Sequence, residues 1–434
     1  TVTAVFIIAK KLWNETVALV AAILLTGSHF HIHYSRLGMT NVWDALFALL
    51  ALGTVAIAWQ EPSDTTKTRR VWILGGLFIG LNAYLFTSSR LLPIILLLLL
   101  VFALLINRTQ FQSQFRNILA AALLALVVAL PQMLFYNSNA GIVSERAVQL
   151  GIFSDQSGWL ADQAIRAGLS ETAVLRQQIW QSITAFNGGI DRSPSYRSPE
   201  SLLSFGAGLF FSLGLIIALF KFGENKFRTV VLWVVTVMLF AGAFLIDLPN
   251  SHRLVMAIPA IMILAAVALD TYTQFLLNAL PDTMQANFKV YLKPMLIILA
   301  VLFIMGDLFF YYGRFRNDIQ LGDRNTEIAD VMAHYLENQD EPATAYFLGA
   351  PSMFSDFPTI TFIAQSFRRG INLYDVNIGE TAIPAATTDR LLFIILPERA
   401  TELDGFQVQY PGGTVSSFSG VYGDPLFLVY EVEQ

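Results

Sequence analysis

Between His29 and Gly53 the chain reads "HFHIHYSRLGMTNVWDALFALLALG". Three histidines, an arginine and an aspartate stand there between two apolar stretches. A carboxylate such as Asp44 can take a proton from an acceptor hydroxyl, or orient the group that does. Near the first turn of a helix it also gains from the positive helix end with no role in chemistry. A guanidinium such as Arg36 binds phosphate oxygens in a two-pronged fork and stays charged at every physiological pH. Imidazoles at 29, 31 and 33 suit zinc. On a helix only His29 and His33 share a face, whereas on a strand all three would. Asp44 is the nearest acid that could join them, so substrate contact or interfacial anchoring is the preferred reading of His29 and His33, and no metal site is assigned.

Similar groups recur further along. Arg90 follows "GLNAYLFTSS", with Tyr84 upstream of it, and "DLPNSHRLVM" carries Asp247, His252 and Arg253. A single arginine at a helix end commonly snorkels to lipid headgroups. Ionisable groups repeated at one membrane depth instead suggest a shared cavity. Arg36, Arg90 and Arg253 are accordingly the candidates for binding a phosphate. Asp44 is the catalytic candidate, and His29, His33, Tyr84 and His252 are the candidates for lining the cavity.

The elements that must position these residues are set by composition. The 434-residue chain is 55% hydrophobic and 14% charged, where soluble domains carry about a quarter charged residues. Its mean hydropathy is +0.56. Runs long enough to cross about 30 Å of hydrocarbon make it an α-helical polytopic membrane protein. After a partial span ending near Ala9, nine complete spans are expected at about 16–34, 40–59, 72–88, 91–106, 117–136, 202–220, 229–247, 253–273 and 291–312. The fourth is short enough to be partly re-entrant. There are no cysteines, which removes disulfides and thiolate metal sites. No phosphate-binding glycine loop, dinucleotide fingerprint or H-E-x-x-H pair is present, so ATP coupling is not expected.

Lysine and arginine are uneven among the short connections. Lys10, Lys11, Lys67, Arg69, Arg70, Arg108, Arg116, Lys221, Lys226, Arg228, Lys289 and Lys293 lie on one side, and only Arg36, Arg90 and Arg253 on the other. The rich side is expected to be cytoplasmic. Parity then places the loop 137–200 and the chain from 313 on the outer face of the cell membrane. That loop holds an amphipathic helix candidate, "SGWLADQAIRAG", suited to a membrane-surface platform. The tail changes character. "RNTEIADVMAHYL" has helical spacing, while "ATAYFLGA", "RLLFIILPE" and "PLFLVYEVE" read as strands. Two domains are therefore expected: a transmembrane domain over 1–312 and a small outer α/β domain over 313–434.

At the residues just named the sequence resembles the GT-C class of glycosyltransferases, closest to bacterial relatives of protein O-mannosyltransferases and the lipid A aminoarabinose transferase. The likeness rests on Ser35-Arg36, on Asp44 opening the next span, on Tyr84 with Arg90 and Pro93, and on Arg253 with Pro259. It covers about residues 1–312. Relatives often have Arg-Tyr where this chain has Arg253-Leu254. The resemblance implies an inverting transfer of a sugar from a polyprenyl-phosphate donor to a lipid, glycan or protein acceptor on the outer face. Membrane lipid would be a partner and nucleic acid would not. Asp44 would assist the acceptor or a divalent cation, the one cofactor the family leaves room for. Arg36, Arg90 and Arg253 would hold the donor phosphate. The family's main acidic residue lies in a loop that would precede Thr1, so the sequence is expected to be an N-terminally truncated piece, and the fragment beginning at Thr1 to lack that residue and its activity.

Two other classes fit the apolar composition. A transporter or flippase would show repeated halves and charges near the bilayer midplane; here the charges cluster at outer helix ends and no repeat is evident. A non-catalytic scaffold with a working outer domain would have no need of the arginines.

Overall fold

The computed structural model describes residues 1–433 other than 38, 40, 86, 139–149, 155–157, 194, 317–323, 350–352, 368–369, 374–384, 387 and 421–422. The chain divides into two compact units, Thr1–Gln320 and Leu321–Gln434.

The first unit is helical. Its elements are α1 (Val2–Leu12), α2 (Glu15–Gly27), α3 (His29–Arg36), α4 (Asn41–Gln60), α5 (Thr66–Asn82), a 3-10 turn (Thr87–Arg90) running into α6 (Leu91–Ile106), and α7 (Arg108–Ser138). Two surface helices follow, α8 (Trp159–Ala167) and α9 (Glu171–Thr184), then α10 (Phe205–Phe220) and α11 (Asn225–Val237), the latter continued by a π turn to Ala243. The unit ends with α12 (Ser251–Asn278) and α13 (Asp282–Phe309), whose last turn to Phe315 is also π-wound.

Among the described residues six helices are long and apolar enough to span a bilayer, and the bent pair α2–α3 makes a seventh. That corrects the nine spans expected from hydropathy. The run 16–34 is no straight span: it breaks at Ser28 with a bend of 61°. Ser28 has extended backbone, and its side chain accepts from the His31 amide at 3.5 Å, restarting the helix as a cap does. The run 72–88 ends as α5 at Asn82, leaving Tyr84 to Arg90 in a turn. α10 is only 16 residues long. The run 91–106 is a continuous helix, not a re-entrant one. In the loop 137–200 the amphipathic segment forms α8, and α9, which its weak periodicity hid, follows it; residues 139–149 of that loop lie outside the described residues.

Burial sets the order of packing. In α12, 89% of the apolar window is buried, against 11% in α7, so α12 is the central helix and α7 faces lipid. α12 packs against α2, α4, α10 and α11 around a core of small and branched side chains such as Ala257, Ile261, Ala265 and Val267. Glycines allow the closest approaches, as expected where lipid supplies no hydrophobic drive for helix association. A Cβ on Gly214 of α10 would overlap the Leu264 carbonyl of α12, and one on Gly76 of α5 the Ala121 backbone of α7. A Cβ on Gly80, in the same seam, would come within 2.6 Å of Val128 Cβ and 2.8 Å of the Ala125 carbonyl oxygen.

The second unit carries a five-stranded sheet of order β2-β1-β3-β5-β4, where β1 is Thr344–Leu348, β2 Ile371–Asn372, β3 Arg390–Ile395, β4 Thr414–Ser419 and β5 Pro425–Glu433. β1 runs parallel to β2 and β3, and β5 antiparallel to β3 and β4. The helix α14 (Arg324–Glu337) packs Ile328 and Met332 with Phe347, Leu392 and Ile394 on one face. On the other, Tyr346, Phe393 and Tyr430 stack across three strands. Burial on both faces explains the unbroken run "RLLFII" in β3.

Gly214→Leu should destabilise the bundle by about 2 kcal/mol or more through overpacking, read as a lowered melting temperature of the purified chain. Gly223→Ala, at a position with open space around it, should leave melting unchanged.

Candidate active site

The three histidines sit on a helix of eight residues, and all are buried. His29 and His33 face the end of the long loop. The Ser201 carbonyl lies 3.1 Å from His29 Nε2 and the Ser195 carbonyl 2.8 Å from His33 Nε2. A carbonyl only accepts, so both Nε2 atoms carry protons, and each Nδ1 accepts from a phenol. The Tyr196 hydroxyl is 2.5 Å from His29 Nδ1 and that of Tyr311 is 3.2 Å from His33 Nδ1. Tyr196 also stacks on His33, with ring centroids 4.1 Å apart. Burial pushes the Tyr196 phenol well above its ordinary pKa, so it stays a donor. Asp307 of α13 approaches His29 Nε2 at 4.0 Å from the other side. The pair His29 and His33 thus fastens α3 to the loop and to α13. No group of three or more His, Asp or Glu side chains suited to a metal occurs among the described residues.

Asp191 was not singled out by sequence reasoning. It lies in "NGGIDRSPSYRSPE" and is 4% exposed. Oδ1 accepts from the amides of Ser251 at 2.8 Å and Ser193 at 3.2 Å. Oδ2 accepts from the hydroxyls of Ser251 at 2.7 Å and Ser193 at 2.5 Å and from the Arg197 amide at 3.1 Å. With Ser251 donating to Asp191, the Tyr34 hydroxyl donates to Ser251 at 2.7 Å. One carboxylate therefore ties the loop, α3 and the turn that carries His252 and Arg253. The available signal was an Asp followed two residues later by Ser, a local turn pattern.

Asp44 is fully buried in the first turn of α4 and accepts a short hydrogen bond from the Ser88 hydroxyl. Asn82 donates to the Ser89 carbonyl at 2.8 Å. The turn Thr87–Arg90 is thereby held from both α4 and α5. Three residues before Asp44, at the start of α4, Asn41 donates to the His252 carbonyl at 3.0 Å. The first turn of α4 thus bridges the Arg90 turn and the Arg253 turn.

The arginines differ. Arg90 is half-buried, its guanidinium 5.0 Å from the centre of the Tyr136 ring. It stands at the head of a cavity of about 610 Å³ between α5, α6 and α7, walled by Pro93, Leu96, Leu97, Leu100, Ala121, Ala125 and Met133 among others. Arg253 donates Nη1 to the Ile246 carbonyl at 2.6 Å. Arg36 is exposed and lies over Tyr311 and Tyr312 at 5.9 and 5.8 Å. Arg90 belongs to the wall of this cavity, and Arg36, Asp44 and Arg253 do not. His252 packs edge-on to Tyr34 at 6.1 Å. Tyr84 is exposed and donates to the Val128 carbonyl at 2.8 Å, on the α5–α7 seam. Asp247 is exposed, with a positive φ of 58°.

A broken apolar helix, a charged turn network at one end of the bundle and an apolar cavity lined by an arginine belong to a fold that the chain shares with solved structures of membrane glycosyltransferases. One is ArnT from Cupriavidus metallidurans bound to undecaprenyl phosphate, with 12% identity, 99% of this chain and 81% of that chain covered, and a TM-score of 0.57. The same protein in the apo state gives 12%, 99%, 81% and 0.52. The Archaeoglobus fulgidus oligosaccharyltransferase in complex with Zn and sulfate gives 13% identity and a TM-score of 0.53 over 98% of this chain, but this chain spans only 59% of that protein. Residues 1–135 match the model of the dolichyl-phosphate-mannose-protein mannosyltransferase family. No curated protein sequence matches the chain.

Asp191→Leu strands the buried amides and hydroxyls of Ser193 and Ser251, and should cost about 3 kcal/mol or more. Limited proteolysis should then cut within 187–204 well before the helices, whereas the wild-type loop should survive equally long as α12.

Proposed function

We propose that the chain transfers a sugar from a polyprenyl-phosphate donor to an acceptor hydroxyl at the outer face of the cell membrane. One observation carries this reading: a membrane-depth apolar cavity headed by an arginine whose turn is locked by a buried carboxylate. A prenyl chain suits the aliphatic wall, and a phosphate suits Arg90 at its mouth. ArnT, which shares the fold, is bound to undecaprenyl phosphate. The excess of lysine and arginine on the opposite connections supports the outer placement.

In this mechanism the acceptor hydroxyl oxygen attacks the anomeric carbon, the bond from that carbon to the phosphate oxygen breaks, the hydroxyl proton passes to solvent, and configuration inverts. The leaving polyprenyl phosphate gains negative charge as the bond breaks. Arg90 is already fixed by its turn, so it stabilises that charge without reorganising. Arg253 and Arg36 are further phosphate candidates at the same end of the bundle. Asp44, buried beneath Ser88, acts through the Arg90 turn, and its first helical turn fixes the register of the Arg253 turn. The histidines His29 and His33 hold the loop in place over the site, with Tyr84 and His252 at its margins. The described residues gather no acid and imidazole set for a divalent cation, and no step is routed through one. The second unit is read as an acceptor-presenting outer domain.

Arg90→Ala should abolish transfer from polyprenyl-phosphate sugars while melting stays unchanged; Arg253→Ala should lower it strongly. Full transfer by Arg90→Ala, assayed with a panel of such donors, would remove the phosphate role. Asp44→Asn keeps the shape but not the charge, and should cut turnover by about 10²-fold while donor affinity changes by less than about tenfold. Turnover equal to wild type would return Asp44 to helix-end stabilisation alone.

A further inference from the structure

The sheet of the second unit has two edges of unlike character. β2 closes one with only two residues, Ile371 and Asn372. β4 closes the other with six, Thr414–Ser419, and pairs with β5 alone. Five of those six are exposed, and "TVSSFS" holds no charge and no proline. Sheet edges usually carry a lysine, a proline or a covering loop, because bare edges recruit other strands. The register shift at Phe418/Ser419 disturbs only the end of β4.

Backbone groups alternate along a strand, so half of those in β4 point away from β5. Gly420, just past the strand, donates its amide to the Asp424 carbonyl at 2.8 Å. By alternation from Gly420, the backbones of Phe418, Ser416 and Thr414 turn to β5, and those of Val415, Ser417 and Ser419 turn outward. Among the described residues no other strand or loop backbone meets these three. The outward N–H and C=O groups repeat at the spacing of an extended chain. A second extended backbone answers each of them, whereas a lipid or a glycan has no such repeat. Charge then chooses between candidate strands. Residues 321–434 hold five arginines and no lysine against sixteen aspartates and glutamates, a net charge of −11. Glu431 stands opposite Thr414, Glu433 is exposed at the end of β5, and Asp424 lies between the two strands. The bases nearby are already engaged. Arg390 meets Glu431 at 2.7 Å, and Arg324 meets Glu398 at 3.5 Å and the Pro425 carbonyl at 3.1 Å. A second copy would bring the same negative charge to this edge and be repelled, while a cationic strand would be drawn to it.

We propose that β4 is a docking edge for an extended, positively charged segment of another polypeptide, which joins the sheet as a sixth strand. Its backbone pairs with Val415, Ser417 and Ser419, and its basic side chains answer the negative charge of the unit. The assignment concerns binding alone and stands whether or not the chain transfers sugar.

The test measures the fluorescence anisotropy of labelled peptides with the purified full chain in detergent. The probes are a short alternating lysine–threonine peptide, the same peptide N-methylated at every second residue, and a glutamate–threonine counterpart. The plain lysine–threonine peptide should bind, and the other two should bind about tenfold more weakly or worse. N-methylation keeps the charge but removes the donors along one edge of the peptide. It therefore separates strand pairing from plain attraction to an acidic surface. Ser417→Pro removes an outward N–H at an edge position, where proline is tolerated, and should weaken binding of the plain peptide about fivefold. Equal affinity for the plain and N-methylated peptides overturns the proposal, and that comparison needs no variant. Absent binding, a preference for the glutamate peptide, or undiminished binding by Ser417→Pro overturns it as well. Ser417→Cys supplies the only thiol in a chain without cysteine. It should stay monomeric on a non-reducing gel; disulfide-linked dimers would put a second copy on the edge instead.

Discussion

Asp191 joins three segments that are remote in sequence, and the geometry of one end of the bundle follows from it. Five donors from Ser193, Arg197 and Ser251 converge on its two oxygens. In a buried setting such a carboxylate is tolerated only when its lone pairs are filled. Here they are filled by the loop itself and by the turn entering α12. The loop cannot lift away without exposing the charge to apolar surroundings, and the turn bearing Arg253 cannot shift without breaking the same bonds. The histidines repeat this logic on the other side of the loop. Each spends one nitrogen on a carbonyl and the other on a phenol, so neither is left with a vacant ring position by its loop contacts.

α4 extends that constraint towards the cavity. Asn41 and Asp44 lie on one turn and reach opposite ways, to the His252 carbonyl and to Ser88. The turn carrying Arg253 and the turn carrying Arg90 are thus indexed to a single rigid element. Placing charged groups on helix starts, with a buried polar contact beneath each, gives a preorganised rim above an apolar interior. This is the arrangement expected where charge develops at one end of a lipid-linked substrate while the rest of that substrate stays in hydrocarbon.

Much of this was legible in the residues. The scarcity of charge and the length of the apolar runs pointed to the membrane bundle, and short apolar runs such as "RLLFIILPE" pointed to the sheet of the second unit. The cluster from His29 to Asp44 lies at the end of the bundle that also carries the Arg90 and Arg253 turns. What could not be read was how the arginines differ. Arg36, Arg90 and Arg253 look alike as helix-end cations, yet one rests on the rings of Tyr311 and Tyr312, one lines a cavity and one donates to a carbonyl. For Arg36 and Arg90 the differences come from Tyr311, Tyr312 and Tyr136, remote in sequence, whereas the Ile246 carbonyl that Arg253 meets is near in sequence but brought round by a turn. The break at Ser28 was hidden because hydropathy does not distinguish a bent helix from a straight one. β4 was hidden because "TVSSFS" is an exposed edge strand with little apolar alternation.

The glycine seam between α5 and α7 has a mechanical consequence. Gly76 and Gly80 let those two helices touch backbone to backbone, with Tyr84 adding a hydrogen bond across the join. They form a stiff panel. α6, the facing side of the cavity, has only 28% of its apolar window covered by protein. A bulky chain arriving from the side therefore meets, on the α5–α7 side, a wall that cannot part without tearing that backbone seam.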